Sequence, residues 1–408
     1  MASFIFEEGT QAQASGFKSG ETLIFKTATP ATLNVTYTAA SGLNTDFYTL
    51  TFGDTTLQFA ASALSGGTKQ FLAGGTLILG TSGPDTAGLS AVSGADAVAA
   101  YLIAGDDVNA TVTGAGGHIV DLGAGNDSIT ATGTADGAYY LLGGSGDDTI
   151  DASGTSGNLH VYGNVVGAAG LTDGNDVITL GTGNSYVNGN AGNDTITATV
   201  GANRILGGAG NDSITGGSGN DSINGNAGND TIIGGAGNDL LRGGQGDDSI
   251  VSGTGNNQLF GDLGNDTLTG NTGVDVFTGG AGNDVFIFAA GDAPIQAAPL
   301  AGFFDEITDF TTGSDKIDLA LVVTGTTAAN LVLPAGATFT TEAAARIQAQ
   351  QLLDGTTAPA ATHNVALVQV GSDTYLYSHE GAGAGTTIDT IIKLDGVTAA
   401  DVKAADFV

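Results

Sequence analysis

The stretch Gly207-Gly208-Ala209-Gly210-Asn211-Asp212-Ser213-Ile214-Thr215 decides the fold, because its pattern recurs without a gap on both sides. Thirteen consecutive nonapeptides fill residues 171–287, with glycine at every fourth position and an apolar residue at every eighth. In a chain that is 41% hydrophobic, thirteen apolar residues in register would arise by chance roughly once in 10⁵ trials. The register therefore predicts a repeat architecture.

Each nonapeptide predicts one tight turn followed by one short strand. Glycine adopts positive φ and lets backbones approach closely, and the segment around position eight reads as a strand with one inward side chain. Two such units make a flattened coil of eighteen residues, and neighbouring coils lie about 4.8 Å apart. The sequence predicts an all-β fold, a right-handed parallel β-roll.

The eighteen-residue period places every second turn on the same edge of the roll. On one edge, here called the acidic edge, position six holds Asp176, Asp194, Asp212, Asp230, Asp248, Asp266 and Asp284. On the other, the mixed edge, it holds Ser185, Asn203, Asp221, Asp239, Asn257 and Asp275. One edge is entirely carboxylate, whereas the other is half neutral.

Stacked carboxylates repel one another unless a cation lies between them. Calcium suits this position because it takes six to eight oxygens, including the backbone carbonyls of turns. Residues 171–287 contain 13 Asp, no Glu and two Arg, a net charge of −11. Six calcium ions in the six intervals of the acidic edge would nearly cancel that charge. The mixed edge offers one full site, between Asp221 and Asp239.

Looser copies of the repeat precede the regular ones, at Gly146-Asp147-Asp148 and Gly125-Asn126-Asp127. Still weaker copies end at Asp107 and Asp85, and the irregular spacings predict coils with insertions, the largest around residues 165–172. We therefore place the roll at residues 81–290. The predicted calcium ligands are Asp127, Asp148, Asp176, Asp194, Asp212, Asp221, Asp230, Asp239, Asp248, Asp266, Asp275 and Asp284.

These nonapeptides match the pattern G-G-x-G-x-D-x-U-x, where U is apolar, and so resemble the repeats of the RTX (repeats-in-toxin) family. The resemblance implies a secreted protein that folds as it binds multiple calcium ions. It also implies that the calcium-free chain stays unfolded.

The flanks predict two further β-rich regions. Residues 1–80 predict a small β module with strands at 3–6, 22–26, 32–38, 48–52, 55–59 and 76–79. Gly53-Asp54 predicts a hairpin. The module would cap the open end of the roll, where unpaired strand groups are exposed, and receptor binding is the alternative role. Residues 291–408 predict a cap with strands at 365–370, 374–377 and 390–394 and one short helix at 342–353.

The C-terminal segment from Ile391 to Val408 resembles the uncleaved signals of proteins exported by type I secretion. The N-terminus lacks the basic region and apolar core of a cleaved signal peptide. The resemblance therefore implies the type I machinery as a partner during export, and an extracellular or cell-surface location.

Composition and motifs exclude two classes of function. The chain has 9 Lys+Arg against 42 Asp+Glu, a net charge of −33, and a polyanion lacks the basic residues that nucleic-acid binding requires. Neither the zinc motif H-E-x-x-H nor the nucleophile motif G-x-S-x-G occurs. We expect no enzyme activity.

The Gly-, Ala- and Thr-rich, Lys-poor composition and the tail 365–408 are similar to calcium-dependent surface-layer proteins of Gram-negative bacteria. The resemblance implies a structural protein that self-assembles into a lattice through calcium bridges, with a cell-surface glycan as a further candidate partner. The alternatives are a secreted adhesin or matrix-binding module without catalytic activity and, third, an accessory fragment of an RTX enzyme.

Overall fold

A computed structural model describes residues 118–133, 139–164, 173–289, 304–320, 364–379 and 390–408, together with Ala349 and the shorter strands given below. The chain divides into two compact units, Met1–Arg204 and Ile205–Val408. In the described part, helix is confined to Ala349 and to the 3-10 helix Ala404–Asp406. No helix among these residues is long and apolar enough to cross a membrane. The predicted all-β class is confirmed.

The strands before residue 80 form two small sheets and one strand of the solenoid. They are β1 (Ser3–Ile5), β2 (Thr22–Phe25), β3 (Asn34–Thr38), β4 (Phe47–Phe52), β5 (Thr55–Ala60), β6 (Thr68–Phe71) and β7 (Thr76–Leu79). β1, β2 and β6 pair in parallel, and β3, β4 and β5 pair antiparallel. The pairing of Phe52 with Thr55 confirms the predicted hairpin, whereas β6 was not predicted. Strand β7 pairs with the solenoid strand β9 (Val98–Tyr101).

The rest of the first unit stacks its strands into two parallel sheets. One sheet contains β8 (Leu89–Gly94), β10 (Asn109–Gly114), β12 (Ser128–Gly133), β14 (Thr149–Ser156), β16 (Val177–Thr182) and β18 (Thr195–Thr197). The other contains β7, β9, β11 (His118–Asp121), β13 (Tyr139–Leu142), β15 (Leu159–Tyr162) and β17 (Tyr186–Ala191). Strand β19 (Arg204–Ala209) begins at the last residue of this unit.

The second unit repeats this arrangement with greater regularity. One parallel sheet contains β20 (Ser213–Ser218), β22 (Thr231–Ala236), β24 (Ser249–Thr254), β26 (Thr267–Thr269), β28 (Val285–Ala289) and β30 (Lys316–Ala320). The other contains β21 (Ser222–Ala227), β23 (Leu240–Gln245), β25 (Gln258–Leu263), β27 (Val276–Ala281) and β29 (Asp305–Ile307). Ser213 pairs with Thr231, and Thr231 with Ser249, which confirms the predicted shift of eighteen residues.

The apolar residues at position eight form the interior of the coils. None of the thirteen is more than 1% exposed: Ile178, Val187, Ile196, Ile205, Ile214, Ile223, Ile232, Leu241, Ile250, Leu259, Leu268, Phe277 and Phe286. Most regular strands run for six residues rather than the predicted three, since they continue into the first three positions of the next repeat. The predicted inward register is confirmed.

The C-terminal region adds β31 (Asn330–Val332), β32 (Thr338–Phe339), β33 (Asn364–Val370), β34 (Asp373–His379) and β35 (Thr390–Leu394). Strands β33, β34 and β35 form an antiparallel meander, and β35 also pairs in parallel with β29. These confirm the three predicted strands. The predicted helix at 342–353 lies outside the described residues except for Ala349, which is helical and buried. The division into 1–80, 81–290 and 291–408 stays a prediction.

Candidate metal centres

The twelve predicted ligand aspartates lie in the turns between strands, at the edges of the coils. Every one is buried, with no more than 3% of its surface exposed. Burial of so many carboxylates is costly unless each charge is neutralised, paired or bound to a metal. Their surroundings therefore determine what these turns can do.

In most of these aspartates, one carboxylate oxygen ties neighbouring coils together. The backbone amide of the position-six aspartate donates to the Oδ1 atom of the position-six aspartate one coil later. In the first unit the pairs are Asp127 to Asp148, Asp148 to Asp176 and Asp176 to Asp194, at 2.7–2.9 Å. In the second they are Asp212 to Asp230, Asp230 to Asp248, Asp248 to Asp266 and Asp266 to Asp284, at 2.8–2.9 Å. The structure thus brings Asp127 and Asp148 into the acidic edge despite their irregular spacing.

The second oxygen is available for a cation. Among the described residues, none donates a hydrogen bond to the buried Oδ2 atoms of Asp148, Asp176, Asp230, Asp239, Asp248, Asp266 and Asp284. A buried polar atom without a hydrogen-bond partner points to an ion or water that completes the site.

Backbone oxygens converge on the same places. A Cβ atom added to Gly234 would lie 2.6 Å from both the Oδ2 atom of Asp239 and the carbonyl oxygen of Ser252, one coil later. At Gly216 the two distances, to Asp221 Oδ2 and to Gly234 O, are both 2.7 Å. A carboxylate and a carbonyl from neighbouring coils therefore face one small space beside the glycine, and oxygen donors of these two kinds suit calcium.

Main-chain oxygens would supply part of the ligand set of a calcium ion bound in these turns. Within the described ranges there is no group of three or more His, Cys, Asp or Glu side chains that could hold a metal. A calcium site in these turns would combine aspartate oxygens with carbonyls of the glycine turns. The residues present fit calcium, which tolerates such a mixed set, and fit poorly the nitrogen- and sulfur-rich sites of zinc.

Burial changes the protonation of the acidic edge when no cation is bound. Burial, together with the charges of Asp194, Asp148 and Asp173, raises the pKa of Asp176 to about 8. Burial is also the main reason that the pKa values of Asp148 and Asp248 rise to about 7. Near neutral pH these carboxyls are therefore partly protonated, and a divalent cation would have to displace the protons that remain.

The asparagines at position five form a second row of hydrogen bonds, which sequence reasoning missed. The amide at position five donates to the side-chain Oδ1 atom at position five one coil earlier. The pairs are Asn229 to Asn211, Asp247 to Asn229, Asn265 to Asp247 and Asn283 to Asn265, at 2.7–3.0 Å. Position-five and position-six bonds therefore run in opposite directions between coils. The recurrence of Asn or Asp at position five was the available signal.

Two further aspartates extend the rows beyond the last nonapeptide. The amide of Asp275 donates to Asp305 Oδ1 at 2.8 Å, and that of Asp284 donates to Asp315 Oδ1 at 3.1 Å. Asp305 is 0% exposed and Asp315 is 3% exposed. Both begin an Asp-x-Ile triplet, ending at Ile307 and Ile317, that reproduces positions six to eight. This triplet was the signal that could have identified them.

The neutral residues of the mixed edge preserve the same geometry. Asp239 donates its amide to the Oδ1 atom of Asn257, and Asn257 donates its amide to Asp275 Oδ1, at 2.9 and 2.8 Å. Asp221 and Asp239 are joined in the same way at 2.9 Å. The calcium site predicted between Asp221 and Asp239 stays a prediction.

Comparison with known proteins gives one matching family, and two of the solved structures that resemble the chain are described below. The model of the RTX calcium-binding nonapeptide repeat matches residues 140–156, 172–203, 197–232, 224–259 and 260–292. No curated protein matches the chain.

The first solved structure is the solution structure of the AlgE6R3 subunit from the Azotobacter vinelandii mannuronan C5-epimerase. It is 30% identical over 42% of this chain and 80% of that chain, with a TM-score of 0.28. The crystal structure of the extracellular lipase LipA from Serratia marcescens is 15% identical over 71% of this chain and 45% of that chain, with a TM-score of 0.19. At these TM-scores neither likeness bears on the fold or activity. The repeated turns of this chain are RTX calcium-binding nonapeptide repeats, and calcium is the ion that they bind.

Proposed function

We propose that the protein is a secreted structural protein that folds on binding several calcium ions and self-assembles on the cell surface as a surface-layer-type lattice. The observation that carries the proposal is the row of buried aspartates whose Oδ2 atoms accept no hydrogen bond from any described residue, such as Asp230, Asp248 and Asp266. Without calcium, burial of these carboxylates opposes folding.

The calcium concentration would then decide whether the repeats are folded, and it differs between the inside and the outside of the cell. Where calcium is scarce, the repeats stay unfolded and can be threaded through an exporter. Outside, calcium binds and its binding free energy becomes folding free energy. The segment 391–408 would supply the address for type I secretion.

Assembly requires a way to overcome repulsion between copies of a chain with a net charge of −33. Asp147 and Asp247 are exposed on the acidic edge, and Asp401 is exposed near the C-terminus. Calcium could bridge such carboxylates between neighbouring copies, and a cell-surface glycan could hold the lattice to the cell. The protein would act as a scaffold without catalytic activity.

A calcium titration of the purified chain, followed by circular dichroism and light scattering together, tests this proposal. We expect two transitions: a gain of β signal, then scattering at higher calcium, with ordered sheets visible by electron microscopy. Magnesium at the same concentration is the control, because Mg²⁺ gives up its water reluctantly. Folding without scattering at several millimolar calcium would instead indicate a soluble adhesin or matrix-binding module. Full β signal in excess chelator above neutral pH, where the buried carboxylates are ionised, would refute calcium-dependent folding.

A further inference from the structure

The residue at position one of each repeat varies together with the residue at position six. Twelve repeats fill residues 180–287, and the nine with aspartate at position six all have glycine at position one. The first repeat, 171–179, has Leu171 at position one and Asp176 at position six, but the place beside Asp176 Oδ2 is taken by Gly163, where an added Cβ atom would overlap that oxygen. The three with a neutral residue at position six all carry a side chain at position one. These pairs are Leu180 with Ser185, Ala198 with Asn203, and Ser252 with Asn257.

The geometry of the aspartate turns explains why glycine accompanies aspartate. A Cβ atom at Gly225 would overlap the Oδ2 atom of Asp230 and lie 2.8 Å from the carbonyl oxygen of Gly243. The side chain of any other residue would therefore occupy the space that these two oxygens share. In the three repeats with a neutral residue at position six, no calcium has to fit into that space. The side chains at position one are buried there: Leu180, Ala198 and Ser252 are at most 3% exposed.

Ser252 and Asn257 replace the missing cation with hydrogen-bond donors. The Ser252 hydroxyl donates to the carbonyl oxygen of Gly270, one coil later. The Gly270 carbonyl has the same place in its coil as the Ser252 carbonyl has in the coil before. The Ser252 carbonyl faces Asp239 Oδ2 across the space beside Gly234. The side-chain amide of Asn257 donates to Asp275 Oδ1 at 2.9 Å and to the Gly255 carbonyl at 3.1 Å. The Gly270 carbonyl, which corresponds to the carbonyl that faces calcium in an aspartate turn, is therefore satisfied by the Ser252 hydroxyl, and Asn257 adds two N–H donors to the same turn.

We propose that position one decides which turns load calcium, and that Ser252 with Asn257 forms a hydrogen-bonded substitute for a calcium ion. This turn of the mixed edge folds without metal and separates the sites of Asp221 and Asp239 from that of Asp275. The inference rests on the proposed function, because it assumes that the aspartate turns with glycine at position one are loaded.

The same rule applies to Asp127 at the start of the acidic edge. Its position-one residue is Leu122, which is 0% exposed. Leu122 and Gly143 occupy equivalent places on successive coils. The Leu122 amide donates to the Leu142 carbonyl at 3.2 Å, and the Gly143 amide donates to the Tyr162 carbonyl at 3.1 Å. Asp127 donates its amide to Asp148 Oδ1, and the leucine at position one implies that its turn holds no calcium.

The test is the number of calcium ions bound per full-length chain, measured by metal analysis after equilibrium dialysis in saturating calcium. The double variant Ser252→Gly/Asn257→Asp should bind one ion more than the wild type. Asn257→Asp alone should gain none, because the Ser252 side chain still fills the space. Conversely, Gly234→Ser should lose one ion although Asp239 remains. Gly313→Ser is the matched control and should lose none, since no described atom lies within 4 Å of a Cβ there.

Two results would overturn the inference: Asn257→Asp gaining as many ions as the double variant, or Gly234→Ser retaining the wild-type number. If the double variant does not fold, the Gly234→Ser measurement decides alone. These outcomes differ from failure of the proposed function, in which the wild-type chain itself would bind no calcium or fold without it.

Discussion

The backbone amide of Asp212 donates a hydrogen bond to the Oδ1 atom of Asp230 on the next coil, 2.8 Å away. The Oδ2 atom of the same Asp230 is buried and accepts no hydrogen bond from any described residue. One carboxylate thus fixes the register of two coils with one oxygen and presents the other to calcium. Substitutions at Asp230 can separate these two roles.

Asp230→Asn should lower the calcium bound per chain while keeping an acceptor for the Asp212 amide. Asp230→Ala should lose both the calcium ligand and the acceptor of the Asp212 amide. The buried amide is then unsatisfied, which should lower the free energy of unfolding by a further amount of about 1–3 kcal/mol. We expect unfolding midpoints in calcium to fall in the order wild type, Asn, Ala. Asn257→Ala is the control, because it removes no carboxylate and should not lower the calcium content. Equal calcium loss in Asp230→Ala and Asn257→Ala would contradict the assignment of the two edges.

The folding stability of the calcium-free chain should fall as pH rises through the neutral range. Aspartate ordinarily has a pKa of 3.8, whereas burial raises that of Asp176 to about 8 and that of Asp248 to about 7. Between these limits the folded chain holds protons that the unfolded chain has released, so its stability falls as pH rises.

We therefore expect more β signal in excess chelator at about pH 5 than at about pH 8. Apparent calcium affinity should rise with pH over the same window, because binding releases protons. The control is the same pH series in saturating calcium, where the dependence should flatten near neutrality. A chelated chain that gains β signal as pH rises would contradict the prediction.

Truncation after Thr390 should abolish export, because it removes the segment that resembles a type I signal. Immunoblots of cells and medium would show the truncated chain only in the cells. Asp406→Ala is the control: it removes the acceptor of the Gly313 amide, 3.0 Å away, but leaves the segment in place. That variant should be exported and have a lower unfolding midpoint. Secretion of the truncated chain would refute the C-terminal address.

Two glycines with positive φ should differ sharply in their tolerance of alanine. At Gly313 (φ 87°) no described atom lies within 4 Å of an added Cβ, so alanine costs only backbone strain, about 1–2 kcal/mol. At Gly228 (φ 130°) the Cβ would also overlap the Gly210 carbonyl of the preceding coil, adding about 1–3 kcal/mol. Urea unfolding in saturating calcium would measure both, and equal losses would mean that coil contact at Gly228 is unimportant.

The sequence predicted the features that depend on a strict period. Position eight, from Ile178 to Phe286, is buried throughout, because an apolar residue every nine positions can face only one interior. The position-five row was missed because Asn211 and its equivalents also read as ordinary turn residues. Their bonds join residues eighteen apart and become visible only once coils are stacked. Asp305 and Asp315 were missed because chain insertions place them thirty and thirty-one residues beyond their partners.

The opposite directions of the two rows have a mechanical consequence. Asn229 gives its amide to the preceding coil through Asn211, whereas Asp230 gives its amide to the following coil through Asp248. A coil peeled from either end of such a stack must break bonds of both kinds. The terminal coil at either end of the stack therefore offers one backbone amide donor and one side-chain oxygen acceptor, so a capping segment has to supply both an acceptor and a donor at whichever end it covers.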